Sequence, residues 1–334
     1  MDFIVDKESV QTRYNQLISY IEREIRIGNI HVGQQMLSVS EACATYHVSR
    51  DTILTAYRIL IRRGIIKSIP GKGYYITSRN SVSTVRVYVL FDAMNQYKET
   101  LYRSLLQHLG NGYSITIAFH YYDTELFDTL VSNAIGKYDY YVLMPHFKED
   151  VNHTIQKIAS EKLLLLDAMP KNYKGESAAV YQHFKSDAYE GFKVLLPKLK
   201  NYKALHIVYN DKFQYMPQGY VEGAKLFSEE FHYPIYVEPG FDMKNIEHGH
   251  CYMAVSERDL ASIVKSIMQC NFRLGRDLGL LSLDDTPLKE VLVGGITTLS
   301  TDFELMGKTA AELIRKNERK QIPNPWKLED RGSL

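Results

Sequence analysis

The sequence predicts an α/β protein with a small winged helix-turn-helix head and a larger, doubly wound α/β part of two lobes. Three observations lead there. Residues 48–57, Val-Ser-Arg-Asp-Thr-Ile-Leu-Thr-Ala-Tyr, combine a helix cap with one-sided apolar spacing. A glycine-rich turn, Pro70-Gly71-Lys72-Gly73, joins two short β-like runs close behind them. From Val85 onward, short apolar runs alternate with amphipathic segments, the pattern of a parallel sheet wound between helices.

The head is the most specific part. Ser49 can cap a helix. Arg50 and Thr52 then fall in its first turn, while Ile53, Ala56, Tyr57 and Leu60 recur at helical spacing and define a buried face. Gly64 ends the helix, and the runs Ile65–Ile69 and Tyr74–Thr77 follow. Glycines at a hairpin tip permit positive φ, and a lysine there can meet a phosphate. A helix that opens with a hydroxyl and an arginine and buries its other side is built to set its N-terminus on DNA. Ser49, Arg50 and Thr52 are therefore expected in the major groove, with Ser38, Lys72 and Gly73 on the backbone or minor groove. Arg62, Arg63 and Lys67 form a basic cluster that fits a solvated face as well as phosphate contact.

These elements resemble the GntR family of bacterial transcription regulators. The resemblance rests on Tyr14-Asn15-Gln16-Leu17-Ile18 with Ile21, Ile25 and Gly28, on residues 36–43, on Val48-Ser49-Arg50 in register, and on Gly-Lys-Gly-Tyr-Tyr-Ile at 71–76. It covers residues 8–78 and implies that Arg50 touches operator DNA. Two departures stand out: Leu37 replaces the family's usual proline, and Ser40 its usual arginine, a DNA contact in many members. Leu54 also stands where some subfamilies carry a second arginine.

The chain has 334 residues, enough for two or three domains or lobes. The expected division is a head over 1–78, a polar linker over 79–84, and an effector and dimerisation domain over 85–334. Residues 1–80 carry 11 Lys+Arg against 7 Asp+Glu, and the rest 29 against 32, so the small domain is basic and the large one mildly acidic. That suits nucleic-acid contact at one end. Cys43, Cys251 and Cys270 are odd in number and widely spaced, which suggests neither a disulfide framework nor zinc. No apolar run approaches the ~20 residues that span a membrane, and the first six residues lack a basic n-region. A cytoplasmic protein is expected.

In the larger part, strands are expected at Val85–Phe91, Tyr113–Phe119, Tyr140–Met144, Lys162–Leu166, Ala204–Tyr209, Ile235–Val237, Cys251–Val255 and Gly279–Leu283. Helices are expected at Lys98–Leu109, Glu125–Ile135, Val151–Ala159, Asp187–Leu196, Tyr220–Phe231 and Asp259–Gln269. Eight strands suit two lobes better than one sheet. Asp139–Pro145, Leu163–Asp167, Asp277–Asp285, the run from Leu299 to Ile314 and the ending Leu328…Arg331-Gly332-Ser333 fall in the order of a LacI-family effector domain. The chain resembles that family over residues 84–334, with Ser282-Leu283 in place of its Gly-aromatic pair and Tyr140 in place of a glycine. A GntR head on a LacI-like domain is the arrangement of arabinose-type repressors.

In open α/β sheets ligands sit beyond the carboxyl ends of the strands. Phe91-Asp92, Phe119-His120, Pro145-His146, Asp167, Asn210, Ser256-Glu257-Arg258 and Asp284 stand there. A sugar needs carboxylates for vicinal hydroxyls, a donor beside them and an aromatic face. The LacI resemblance implies ligand contact by Asp167, Asp284 and Glu257. An aspartate after a strand can equally cap the next helix. The family's arginine before Gly219-Tyr220 is Met216 here, with Arg258, Gln214 or Gln218 as stand-ins. Glu247-His248-Gly249-His250-Cys251 matches no common structural zinc spacing, so neither metal nor cofactor is expected. No Gly-x-Ser-x-Gly elbow, Walker loop, His-Glu-x-x-His or Schiff-base lysine motif of the aminotransferase-like GntR proteins occurs, so no enzyme is expected. The reading is a sugar-responsive regulator, a homodimeric repressor of a carbohydrate-utilisation operon binding double-stranded operator DNA. A purine, an amino acid or a phosphorylated sugar is the alternative effector.

Overall fold

The structure is a computed structural model that describes residues 3, 5, 12–77, 84–210, 217–242 and 246–334. Residues 79–83 of the expected linker, and Gln214 and Met216, lie outside the described residues. The chain forms two compact units. One gathers residues 1–88, 109–116 and 136–140, and the other residues 89–108, 117–135 and 141–334.

In the first unit, helices α1 (Arg13–Ile27), α2 (Val39–Tyr46) and α3 (Arg50–Arg62) precede strands β1 (Ile66–Ile69) and β2 (Gly73–Ile76). Ser38 caps α2 in a capping box with Glu41, and Ser49 caps α3 by accepting from the Thr52 N–H. Leu17, Ile21 and Ile25 of α1 bury against Ile53, Ala56, Tyr57 and Leu60 of α3, the face that the spacing predicts. The Tyr57 hydroxyl, inside this core, donates to the Leu37 carbonyl at 2.8 Å. Buried Glu22 accepts from Arg63 at 2.6 Å, tying α1 to the end of α3. β1 and β2 pair antiparallel, Ile69 opposite Gly73.

The effector part holds two six-stranded sheets. The first has the order β13 (Gln321–Pro323), β7 (Ala178–Tyr181), β6 (Leu163–Asp167), β5 (Tyr140–Leu143), β3 (Val85–Phe91), β4 (Tyr113–Phe119). The second has the order β14 (Trp326–Glu329), β12 (Thr297–Thr301), β11 (Gly279–Leu283), β10 (Cys251–Ala254), β8 (Leu205–Val208), β9 (Ile235–Glu238). The inner strands β10 and β11 of the second sheet are buried on both faces. Cys251 and Met253 pack with α7 (Phe184–Leu199) and α8 (Gly219–Phe231), while Tyr252 and Ala254 pack with α9 (Glu257–Gln269). Such strands read as continuous apolar runs, which is why they are legible.

Four strands go beyond the eight expected. β7 is four residues with two alanines. β12 is Thr-Thr-Leu-Ser-Thr, polar in sequence yet buried throughout, its hydroxyls satisfied by partners such as Asp285 and the Pro325 carbonyl. β13 carries Pro323, tolerated because it forms a sheet edge. β14 alone runs antiparallel in the second sheet. The helix expected over 151–159 is a single turn, α6 (Asn152–Ile155). Conversely, α7 runs through Pro197 to Leu199, where a proline is expected to stop it.

The chain passes between the lobes three times: after β7, after β12 into α11 (Phe303–Lys316), which packs on β6 and β7, and between β13 and β14. Asn324 ties the three passages. Its N–H donates to the Tyr181 carbonyl at 2.7 Å, and its Nδ2 donates to Thr301 Oγ1 at 2.8 Å and the Asp302 carbonyl at 2.9 Å.

Helices α7 and α8 meet at Gly223, where an added methyl would stand 2.3 Å from the Lys185 carbonyl. Alanine gains about 1 kcal/mol over glycine in a helix, but a clash with backbone costs about 1–3 kcal/mol. Gly223→Ala is expected to lower the thermal unfolding midpoint. Gly240→Ala, with nothing within 4 Å of its new methyl, leaves the midpoint unchanged.

Candidate functional site

On the head, Ser49 and Arg50 are exposed and Thr52 half-exposed at the start of α3. The hydroxyls of Ser49 and Thr52 lie 2.9 Å apart, so the cap fixes both. Ser38 is exposed beside them, its hydroxyl accepting from the Glu41 N–H. The wing tip is held by the Gln35 amide, which donates to the Lys72 carbonyl at 2.7 Å and leaves the Lys72 side chain exposed. Gly71 at φ 74° and Gly73 at φ 103° make that tip possible, since both lie in the left-handed region. Gln35 is the residue missed by sequence reasoning here. Its signal is only its place in the short run that pairs with β2, where Gln35 itself stands opposite Tyr75 and the Met36 N–H donates to the Tyr74 carbonyl.

In the effector part, the ends of β3, β5 and β6 bring together a buried charge cluster. His146 Nδ1 lies 2.8 Å from Asp92 Oδ2 and its Nε2 3.1 Å from Asp167 Oδ2. Lys98, on α4 (Gln96–Leu109), pairs with Asp92 from the other side. Burial alone would neutralise these groups, but mutual attraction wins. His146 is raised to about 9 by Asp92 and Asp167, and Asp92 is held well below the usual carboxylate range by His146 and Lys98. Asp92 has no oxygen left over: Oδ1 also accepts from the Ala93 N–H. Asp167 has its second oxygen on the Gln182 amide at 2.5 Å, and Gln182 accepts from the Tyr220 hydroxyl at 3.2 Å. His120, beside them, is neutral: burial lowers it to about 4, and its Nε2 faces the Met144 carbonyl.

Asp284 closes β11 as Asp167 closes β6. Both hold left-handed backbone, φ 58° and 71°, which is uncommon for residues other than glycine and marks candidate functional positions. Burial pushes the Asp284 carboxyl up to about 7, against Lys289, and the charge of Asp167 adds to the rise. Tyr97 and Tyr220 both feel Asp284 and Asp167, and burial raises their hydroxyls well above the ordinary tyrosine value. Tyr97 stacks on Phe303 at 4.4 Å. Lys289 donates to the carbonyls of Leu283 and Asp284, at 2.6 and 2.7 Å, rather than to a carboxylate.

Of the other expected contacts, Phe91 is fully buried at the end of β3, and the rings coupled to the two aspartates are Tyr97 and Tyr220 instead. Asn210 is half-buried after β8. Glu257 and Arg258 are exposed in the first turn of α9, Glu257 within electrostatic reach of Lys289. Lys98, Gln182, Tyr97 and Lys289 were missed because they come from helices or lobe passages, not strand ends. Asp285, next to Asp284, takes a bidentate pair from Arg331 at 2.7 and 2.9 Å. Ser333 bridges the Leu280 carbonyl and the Thr297 N–H, so the Arg-Gly-Ser ending locks β11 to β12. No group of described residues is arranged to hold a metal ion, and no helix among them is long and apolar enough to cross a membrane.

Residues 13–76 match the gntR family of bacterial regulatory proteins, and residues 200–333 match the periplasmic binding protein-like domain. The chain thus joins a GntR-type winged helix to a periplasmic-binding-protein-like α/β domain. An HTH-type transcriptional regulator of Bacillus subtilis (strain 168), YcxD, is 31% identical over 71 residues, which make up 21% of this chain and 16% of that protein. This chain thus spans about a sixth of that relative's length. The trehalose repressor of Escherichia coli is similar in structure, with a TM-score of 0.63 and 16% identity, covering 74% of this chain and 100% of that one. A LacI-family regulator of Lactobacillus casei with bound glucose gives 0.61 and 13%, covering 75% and 100%. At these identities the likeness concerns the fold.

A folded-state carboxyl raised from 3.8 to about 7 stabilises most below pH 3.8, and that contribution is lost as pH rises through 7. Asp284→Asn cannot ionise. It should match the wild type in thermal stability near pH 4 and exceed it at pH 8, by a few degrees in calorimetry. Equal midpoints at pH 8 would show that Asp284 is not held in an enclosed, charge-averse place.

Proposed function

We propose that the chain is a DNA-binding transcription regulator, a homodimeric repressor of a carbohydrate-utilisation operon, whose operator affinity is set by a small neutral sugar in the effector cleft. The observation that carries the sugar assignment is the pair Asp167 and Asp284. They come from different lobes, share a left-handed backbone at strand ends, and are electrostatically coupled. Ionised acceptors make the stronger hydrogen bonds to hydroxyls. The cations favour a neutral ligand over a phosphorylated one. Lys98 and His146 face protein carboxylates and Lys289 serves carbonyls, whereas a phosphate calls for clustered cationic donors. The trehalose and glucose named for the two similar structures belong to the same ligand class.

On the head, exposed Arg50 and the capped hydroxyls of Ser49 and Thr52 offer donors to base edges, and Lys72 and Gly73 of the wing, with Ser38, approach the backbone. One winged helix reads a short half-site, so two are needed. The seam of the dimer is assigned to α4 and α5 (Thr124–Ala134), where Leu106 and, just past α5, Ile135 are exposed. Half-sites stand about 34–36 Å apart per helical turn, so a small change in head spacing undoes simultaneous docking. A coupling of about 1–3 kcal/mol between sugar and operator suffices.

The test begins with duplexes selected from a random pool by the wild-type protein. Arg50→Ala should weaken the selected duplex by about 1–3 kcal/mol at fixed salt, with unchanged stability. A change under about twofold removes Arg50 from the interface. Calorimetric titration with pentoses, hexoses and sugar phosphates should find a neutral sugar that binds wild type and not Asp284→Ala, while Asp284→Ala still binds the duplex. Equal sugar binding by Asp284→Ala, or binding of phosphates alone, would overturn the cleft assignment.

A further inference from the structure

The first compact unit contains more than the head. It also holds residues 109–116 and 136–140, where β4 and β5 of the first sheet begin. Both strands start on a tyrosine, Tyr113 and Tyr140, and Tyr140 stands in place of the glycine of the LacI pattern. Two arginines of α1 meet them. Arg23 and Arg26 are three residues apart and so share one side of that helix. The Arg23 guanidinium donates to the Tyr140 hydroxyl and, at 2.9 Å, to Glu24 Oε1. Glu24 is buried, and its other oxygen accepts from Asn29 at 2.8 Å, so Arg23 is steadied from the head's own side. The guanidinium carbon of Arg26 lies 5.8 Å from the centre of the Tyr113 ring, whose face attracts a cation. Its stem crosses Gly112 so closely that a methyl added there would stand 2.6 Å from Arg26 Cδ. Both arginines are half-buried by this contact, which leaves Ser49, Arg50 and Lys72 exposed.

We propose that the starts of β4 and β5 are a docking surface for the head of the same chain. Tyr140 and Tyr113 hold Arg23 and Arg26, Gly112 makes room for the Arg26 stem, and the head turns with the first sheet instead of swinging on its connection. Docking of this kind is compatible with DNA, because the start of α3 and the wing stay open. Its consequence rests on the homodimer reading: two docked heads have one spacing, whereas two released heads act as separate tethered modules that lose the benefit of binding together.

The experiment measures nitrogen-15 relaxation of the deuterated full-length protein and compares rotational correlation times of amides in residues 13–76 with those of the second sheet. In wild type the two should agree. The double variant Tyr113→Leu/Tyr140→Phe, which alters no residue of the head, should shorten the head's value at least about twofold, as independent tumbling on the nanosecond scale requires. Arg23→Ala/Arg26→Ala should do the same from the other side, and Arg58→Ala, at an exposed position of α3, should leave the two values equal. A wild-type head that already tumbles faster than the second sheet, or a head that stays coupled in both double variants, overturns the dock. Should one double variant fail to give the spectrum of a folded protein, the other decides. For the spacing role, Tyr113→Leu/Tyr140→Phe should weaken the selected duplex about tenfold or more and leave a duplex with one half-site within about twofold. Equal affinities of wild type and this variant for the selected duplex, or equal losses on both duplexes, overturn that role. Wild type that binds both duplexes equally overturns the homodimer reading, while the relaxation comparison still judges the dock.

Discussion

The arrangement of the candidate site depends on one imidazolium held between two carboxylates. His146 reaches Asp92 with one ring nitrogen and Asp167 with the other, and Lys98 balances Asp92. All four side chains are buried or nearly so. Removing one partner of a buried charge pair costs about 3–5 kcal/mol, because the other is left uncompensated. The cluster is therefore a poor source of net stability and a strong source of position. It fixes the Asp167 carboxylate, which fixes the Gln182 amide, which receives the Tyr220 hydroxyl of the other lobe.

The passages between lobes make that chain mechanically significant. Gln182 stands in the first passage, one residue beyond Tyr181, whose carbonyl receives the Asn324 N–H. Asn324 then reaches the other two passages through Thr301 and Asp302. The three connections are hydrogen-bonded into one strap, so the lobes cannot turn about one passage independently of the others. On the proposed function, a ligand engaging Asp167 from one lobe and Asp284 from the other acts on groups one or two bonds from that strap. Coupling to the heads needs only a differential preference of the ligand for one lobe arrangement, not a long pathway.

Much of this was legible in the sequence, for physical reasons that also mark its limits. Strands buried on both faces, such as Cys251–Ala254, are unbroken apolar runs. The cap at Ser49 and the spacing of Ile53, Ala56, Tyr57 and Leu60 record one face of one helix. Strand ends point to Asp92, His146, Asp167 and Asp284, because a parallel sheet gathers its carboxyl ends along one edge. The hydroxyl-rich strand Thr297–Thr301 was hidden, since its burial depends on partners far off in the chain such as Asp285 and Pro325. The same holds for Lys98, Gln182, Tyr97 and Lys289, which enter the site from helices and passages. Their spacing along the chain says nothing of the charge they meet.

The two aspartates at the strand ends then have different parts. Asp167 already accepts from Gln182 and pairs with His146, which fixes its carboxylate in place. Asp284 is the unsettled member. Its nearest lysine serves backbone carbonyls, and burial raises its carboxyl to the neighbourhood of neutral pH. A proton relieves that burial by removing the charge. On the sugar reading, hydroxyl donors replace the proton as the partner of the carboxylate, so ligand binding and proton release become one linked event at Asp284.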